Sequence, residues 1–148
     1  ATRFDPCFLT LEITETARIS DHEVAATILN ELRSIGVRIS MDDFGVGAAN
    51  YEAFYELPFD EIKIDRMFVA NIAKDPKARA IVASIAAMGR GARITVVAEG
   101  LENPQDIPLL QEAGCQQVQG FAFSRPLSLS NLLEYQELAP EQTLSNIV

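Results

Sequence analysis

Short apolar segments rich in β-branched residues recur along the chain about every twenty to thirty residues, and helical patterns lie between them. The segments are Phe8 to Ile13, Val37 to Met41, Glu61 to Ile64, Ile94 to Ala98 and Gln117 to Phe121. Strands that alternate with helices in this way form βαβ units, whose connections make neighbouring strands parallel. The chain is therefore predicted to be an α/β protein built on a parallel sheet.

The helix between the first two predicted strands has the clearest boundaries. Ser20 and Glu23 form a capping box, and Gly36 follows the last turn. Its apolar positions repeat on one face and are predicted to be buried: Val24, Ile28, Leu32 and Ile35. Further helices are predicted to begin at Asp75-Pro76, at Asn103-Pro104 and after Ser128 or Ser130, and residues 139–148 are predicted to be a tail or a linker.

The composition excludes several classes of function. A net charge of -9 argues against a face for duplex nucleic acid, because phosphate binding depends on clustered Lys and Arg. No apolar stretch approaches the roughly 20 residues of a membrane span, and the first residues lack a signal-peptide pattern, which predicts a cytoplasmic location. Cys7 and Cys115 are predicted to be reduced structural thiols, and His22, the single histidine, a helix-surface residue.

Acidic and amide side chains fall at or near the C-terminal ends of successive predicted strands. They are Glu12, Asp42 with Asp43, Asp65, Glu99 and Gln119. Parallel α/β folds place their ligand sites at this end of the sheet. Each position alone has a simpler explanation, such as an Asp that caps a turn before Gly. Their joint placement favours a functional site.

Asp42 and Asp43 are adjacent carboxylates with no Arg or Lys beside them in sequence. Like charges this close repel each other, so a divalent cation that prefers oxygen ligands (Mg²⁺, Mn²⁺ or Ca²⁺) is the natural partner. Lys63 lies inside a short strand and points away from its apolar neighbours, either into the mouth of the sheet or to solvent at an edge. In the first case it stays charged and can hold a phosphate oxygen or a water.

Five ordered motifs resemble the C-terminal part of the EAL family of cyclic-di-GMP phosphodiesterases. They are Leu11-Glu12-Ile13-Thr14-Glu15, Met41-Asp42-Asp43-Phe44-Gly45-Val46-Gly47, Ile62-Lys63-Ile64-Asp65, Val97-Ala98-Glu99-Gly100-Leu101-Glu102, and Gln119-Gly120-Phe121 followed by Phe123-Ser124-Arg125-Pro126-Leu127. The resemblance implies a partial TIM-type (β/α)8 barrel in residues 1–138, with about five C-terminal βα units and the N-terminal strands absent. It also implies hydrolysis of cyclic-di-GMP to linear pGpG by a two-metal mechanism.

The same resemblance implies roles for individual residues. The metal ligands would be Glu12, Asp42, Asp43 and Glu99, with Asp43 between the two ions. Lys63 would position the attacking water and Gln119 would steady the water or the scissile phosphate, so the catalytic set is Lys63, Glu99, Gln119 and Asp43. Glu102 would contact the metal ligands without binding the ions itself, and Glu15 would anchor the loop after Asp43. The ions would be Mg²⁺ or Mn²⁺, and Ca²⁺ is expected to inhibit.

Two departures from the family pattern keep an alternative open. About 250 residues is typical of such a barrel, so the family's Glu-Ala-Leu segment and its metal-binding asparagine are expected to be missing. The isolated chain is therefore expected to be inactive, and to self-associate or unfold. The loop after Asp43 reads Val46-Gly47-Ala48-Ala49-Asn50, where the family usually has Thr-Gly-Tyr-Ser-Ser. The alternative is a degenerate EAL domain that acts as a cyclic-di-GMP receptor or a protein-interaction module. A homodimer of the parent domain and GGDEF or sensory domains in the same protein are the expected partners.

Overall fold

The computed structural model describes residues 4–14, 19, 21–46 and 50–138. Within these residues the strands are β1 (Thr10–Thr14), β2 (Arg38–Phe44), β3 (Glu61–Ile64), β4 (Thr95–Ala98) and β5 (Gln117–Val118). They form one sheet in the order β1-β2-β3-β4-β5, and every neighbouring pair is parallel. The predicted parallel α/β architecture is confirmed.

Helices connect the strands. They are α1 (His22–Ser34), α2 (Asn50–Glu56), α3 (Arg66–Val69), α4 (Pro76–Ala92), α5 (Ile107–Ala113) and α6 (Leu129–Leu138), with short 3-10 turns at Pro6–Phe8 and Pro104–Asp106. The predicted start of α4 is confirmed, because the side chain of Asp75 accepts a hydrogen bond from the backbone N–H of Lys77 at 2.8 Å and Pro76 opens the helix. No helix in the described part of the chain is both long and apolar enough to cross a membrane.

The two faces of the sheet differ in chemistry because alternate strand residues point to opposite sides. On one face, Ile39, Ile62 and Val96 are fully buried in the core, together with helix residues such as Val82 and Leu110. The other face carries the polar residues of the same strands, Ser40, Glu61 and Lys63, which are also buried. The Ser40 hydroxyl donates to Glu61 at 3.0 Å, and Arg38 forms an ion pair with the same carboxylate at 3.2 Å. The predicted site lies on this polar side of the sheet, at the carboxyl ends of the strands.

Helix α1 differs from its prediction at both its start and its buried face. Its N-cap is Asp21, whose side chain accepts a hydrogen bond from the N–H of Val24 at 3.0 Å, and Ser20 lies outside the described residues. The stripe expected to be buried is largely exposed: Val24 is 54%, Ile28 52% and Ile35 60% exposed. Leu29 is buried instead, and Leu32 and Ala25 pack against the core beside it. The core-facing side is thus rotated by about one residue, or roughly 100°, from the predicted stripe.

Four strands differ in length from their predictions, and β4 differs only because it begins at Thr95 and not at Ile94. β1 begins at Thr10 because Pro6–Phe8 form a 3-10 turn that the side chain of Asp5 caps. β2 continues to Phe44, so both aspartates lie in the strand, and its pairing with β3 shifts register between Met41 and Phe44. β5 ends at Val118 rather than at Phe121. It ends there because the chain turns back on the segment after β4, where the N–H of Leu101 donates to the carbonyl of Gln119 at 3.0 Å.

Candidate active site

The carboxyl ends of β2 to β5 surround a cleft of about 280 Å³, called here the acidic cleft. Its lining residues are Asp43, Asp65, Arg66, Glu99, Gly100, Glu102, Gln119, Gly120 and Phe121. The strand register explains this convergence. Parallel pairing aligns the ends of consecutive strands, so polar residues far apart in sequence meet at one edge of the sheet. Asp43, Glu99, Glu102 and Gln119 therefore line the same cleft.

Lys63 is buried at the centre of the site, which excludes the alternative of an exposed edge lysine. Its ammonium Nζ lies 2.5 Å from Glu12 Oε1, 2.6 Å from Glu99 Oε1 and 3.8 Å from Asp42 Oδ1. Burial by itself would lower the pKa of Lys63, but the hydrogen bonds to Glu12 and Glu99 and the charges of Glu99 and Asp42 together raise it above the ordinary lysine value. The ammonium therefore stays protonated at neutral pH and joins side chains from β1, β2 and the end of β4.

Three carboxylates form a compact group beside this lysine. Oxygens of Asp42, Asp43 and Glu99 all lie within 4.8 Å of one another. Burial raises the pKa of Glu99, the charges of Asp42 and Glu12 raise it further, and Lys63 opposes the shift. A set of oxygen donors at this spacing suits Mg²⁺, Mn²⁺ or Ca²⁺. The residues present therefore fit a divalent cation.

Asp43 has an unusual backbone. Its φ of 57° lies in the left-handed region, which few residues other than glycine adopt. The position falls in the register shift between β2 and β3, and the N–H of Asp43 donates to Asp42 Oδ1 at 3.0 Å. In a regular strand the side chains of Asp42 and Asp43 would point to opposite faces of the sheet. The irregular backbone at Asp43 lets both carboxylates lie on the same side, near Glu99. The local cost of such a conformation is typical of functional sites.

Asp65 and Arg66 also line the acidic cleft. Asp65 was predicted as one of the polar residues at the strand ends but with no specific task, and Arg66 was not predicted. The side chain of Asp65 caps α3 by accepting from the N–H of Met67 at 2.7 Å. Desolvation raises the pKa of Asp43, the charges of Asp42 and Asp65 and a hydrogen bond to Asp65 add to the shift, and Lys63 opposes it. The position of Asp65 at the end of β3 is the signal that placed it among the candidate residues. For Arg66, the next residue in the chain, the sequence offered no signal other than its position beside Asp65.

The remaining predicted residues are placed as follows. Glu12 is on β1 and pairs with Lys63, and it is not among the three grouped carboxylates. The N–H of Gln119 donates to the carbonyl of Ala98 at 2.9 Å, which fixes its backbone at the cleft. Glu15 lies outside the described residues. His22 is on the surface of α1 as predicted, where its Nδ1 contacts Glu56.

Comparisons with known proteins agree with this geometry. The chain is 41% identical over 129 residues to the cyclic di-GMP phosphodiesterase NbdA of Pseudomonas aeruginosa, an alignment that covers 87% of this chain and 16% of NbdA. Its structure is similar to that of the PaMucR phosphodiesterase in its c-di-GMP complex, with a TM-score of 0.77, 39% identity, and coverage of 86% of this chain and 52% of that chain. It is also similar to the manganese/cy-diGMP complex of Klebsiella pneumoniae BlrP1, with a TM-score of 0.75, 36% identity, and coverage of 83% and 31%.

The chain spans 16 to 19% of the length of the first curated relatives that it matches. Over the part that is shared, the similarity to solved EAL domains confirms the predicted partial (β/α)8 barrel. The EAL domain family itself matches residues 1–126, which is most of the chain. This match includes all the strands described above and every residue of the acidic cleft. The chain therefore belongs to the EAL domain family.

Proposed function

We propose that this chain supplies the metal-binding and water-orienting part of a phosphodiesterase domain that hydrolyses cyclic-di-GMP to linear pGpG. The observation that carries the proposal is the group of Asp42, Asp43 and Glu99 oxygens within 4.8 Å of one another, beside the buried ammonium of Lys63. Relatives at 36 to 41% identity that are named cyclic di-GMP phosphodiesterases support it. So does the similar PaMucR structure, which is a c-di-GMP complex.

Two divalent ions, Mg²⁺ or Mn²⁺, are the proposed cofactors. Asp42, Asp43 and Glu99 would hold them, with Glu12 as a further ligand. When bound, such ions supply Lewis acidity and a water of lowered pKa for attack on a phosphodiester. The raised pKa values of Asp43 and Glu99 support a cation here, because each carboxylate faces other negative charges and is partly desolvated. The similar BlrP1 structure is a manganese complex, and a second one is a calcium complex.

The chain's own side chains have distinct tasks in this proposal. Lys63 keeps its proton, so it acts as a hydrogen-bond donor to water or to a phosphate oxygen and not as a general base. Its contacts with Glu12 and Glu99 hold both carboxylates at fixed positions. Gln119 offers an amide that can bind the water or the scissile phosphate. Glu102 lines the same cleft, and Glu15 keeps its proposed role as an anchor of the loop after β2.

Properties of the parent protein belong to the same proposal. The domain would act as a homodimer, with GGDEF or sensory domains in the same polypeptide, and the named bifunctional relative MucR of Pseudomonas aeruginosa supports such a combination. Ca²⁺ would occupy the site and inhibit. The location would be the cytoplasm, which the free thiols of Cys7 and Cys115 support. Residues 1–138 would form the domain segment, and residues 139–148 would be a tail or linker.

The test uses the full-length protein and two matched variants. Asp43→Asn removes one carboxylate from the site, and Glu112→Gln removes one from an exposed position on α5. Isothermal titration with Mn²⁺ and chromatographic detection of pGpG would measure metal binding and turnover. We expect the wild type and Glu112→Gln to bind metal and form pGpG, and Asp43→Asn to lose turnover. A wild-type protein that binds cyclic-di-GMP without forming pGpG would favour the receptor alternative.

A further inference from the structure

A second group of metal-ligating side chains lies between α1 and α2, two helices that pack against each other. Ligand atoms of His22, Glu52 and Glu56 all lie within 4.8 Å of one another. The imidazole Nδ1 of His22 also contacts the carboxylate of Glu56 directly. None of the three residues lines the acidic cleft. This group, called here the interhelix triad, brings together side chains that are distant in the sequence.

The secondary structure explains why these side chains converge. Glu52 and Glu56 are one turn apart on α2, so they project from the same face of that helix. His22 is the first residue of α1, and Asp21 caps this helix end by accepting a hydrogen bond from the N–H of Val24 at 3.0 Å. The imidazole therefore meets the acidic face of α2 from a capped helix start.

The opposite side of α2 is anchored to the core. Phe44, which is buried at the end of β2, contacts the rings of Tyr51 and Phe54 edge to face, with ring centres 5.9 and 6.2 Å apart. Ala53 and Phe54 also pack against the core. Because these contacts hold α2, its two glutamates are presented at fixed positions. A cation that binds them would cost little conformational entropy.

The two glutamates lack a strong counter-charge. Carboxylates one turn apart on a helix repel each other, and no described residue places a Lys or Arg in an ion pair with either of them. Glu56 is also the last residue of α2, where the negative end of the helix dipole disfavours a carboxylate. His22 supplies at most one positive charge, whereas a divalent cation would neutralise both glutamates.

We propose that the interhelix triad binds a transition-metal dication, and that Zn²⁺ fits it best. One imidazole nitrogen and two carboxylate oxygens, with water in the fourth position, make a tetrahedral zinc site. Zinc bonds of about 2.0–2.2 Å place neighbouring ligand atoms about 3.3 Å apart, so atoms within 4.8 Å of one another need only small side-chain rotations. The ion would replace the direct contact of His22 with Glu56. Mg²⁺ prefers six oxygen ligands and keeps several waters, so the imidazole selects against it.

The test uses the full-length protein, freed of metal with EDTA and transferred to buffer with excess Mg²⁺ to compete at the acidic cleft. Calorimetric titration measures Zn²⁺ binding, and thermal unfolding measures the stabilisation by zinc. His22→Ala and Glu52→Gln each alter one ligand, and Glu31→Gln removes an exposed carboxylate of α1 outside the triad as a control. We expect one Zn²⁺ equivalent whose affinity falls by at least about tenfold in both triad variants and is unchanged in Glu31→Gln. Zinc should raise the Tm of the wild type more than that of either triad variant.

A wild type that binds no Zn²⁺ in excess Mg²⁺, or a zinc titration of His22→Ala identical to that of the wild type, would overturn the site. Wild-type zinc affinity in Glu52→Gln would overturn the three-ligand set. Circular dichroism establishes that each variant is folded, and Glu52→Gln, a change at an exposed position, decides the outcome if His22→Ala is not. Zinc binding here is independent of the function proposed above. Loss of the zinc site with normal formation of pGpG would reject the triad alone.

Discussion

Asp43 has a backbone role and a side-chain role, and three substitutions separate them. Its φ of 57° costs an L-residue about 1–2 kcal/mol and costs glycine little. Its carboxylate lies within 4.8 Å of oxygens of Asp42 and Glu99. Asp43→Gly, Asp43→Asn and Asp43→Ala all remove the charge, but they differ in how easily they adopt this backbone. Their stabilities should therefore differ, although Mn²⁺ binding should be weakened in all three.

The expected differences follow from the backbone. Glycine relieves the left-handed strain of about 1–2 kcal/mol, while its greater freedom in the unfolded chain costs about 0.4–1 kcal/mol. Asp43→Gly should thus be more stable than Asp43→Ala by about 0–1.6 kcal/mol, with a central value near 0.8 kcal/mol. Asn tolerates the left-handed region better than Ala, so Asp43→Asn should fall between them. All three lose the negative charge of the ligand, although Asn keeps a neutral amide oxygen, and Mn²⁺ affinity should fall by at least about tenfold.

Urea unfolding of the full-length protein in EDTA measures the order of stabilities, and calorimetric titration with Mn²⁺ measures affinity. EDTA is needed because bound metal would add its own stabilisation to the wild type. An Asp43→Ala variant that is more stable than Asp43→Gly would refute the strained backbone. Mn²⁺ affinity within twofold of the wild type in any of the three variants would refute the carboxylate as a ligand.

Three further predictions address the buried lysine, the site carboxylates and the loop. Lys63→Ala should lower kcat more than it raises KM, because the ammonium acts mainly on charge that develops in the transition state; steady-state kinetics would contradict this if kcat were unchanged. Burial raises the pKa of Glu99, so the metal-free folded state binds this proton more tightly than the unfolded state does. The free energy of unfolding should therefore fall as pH rises from about 4.5 to the raised pKa of the folded state. A Tm–pH profile should show a shallower fall in Glu99→Gln. Gly120→Ala should destabilise by about 2 kcal/mol or more because its Cβ meets the Leu101 backbone, whereas Gly91→Ala, with open space around its Cβ, should stabilise by about 0.5–1 kcal/mol in urea unfolding.

The spacing of the strands was enough to predict the sheet, because a βαβ connection leaves few ways to arrange consecutive strands. The buried face of α1 was not predicted correctly. Val24, Ile28, Leu32 and Ile35 satisfy helical periodicity, yet the core receives Leu29. Periodicity finds an apolar face, but the choice between two adjacent faces depends on which one meets the sheet. That contact is made with strands distant in sequence.

The site was predictable to the extent that it depends on strand ends. Asp42, Asp43, Glu99 and Gln119 follow or end strands, and the parallel register brings them together. Two features could not be predicted in this way. The left-handed backbone at Asp43 depends on the register shift with β3, and the end of β5 before Phe121 depends on a backbone contact with the segment after β4. Both are set by neighbouring strands and not by local sequence.

The ion pairs of Lys63 determine which carboxylates are free to bind a cation. Its ammonium contacts Glu12 and Glu99 closely and Asp42 at 3.8 Å, so a cation that takes Glu12 as a ligand competes with Lys63 for the same oxygen. Glu99 faces the same competition through its Oε1, but unlike Glu12 it belongs to the grouped carboxylates. Asp43 has no ion pair with the lysine among the described residues, and its pKa is raised. Among the three grouped carboxylates, Asp43 is therefore the one without an ion pair to Lys63, which is why its substitution gives the clearest test of the site.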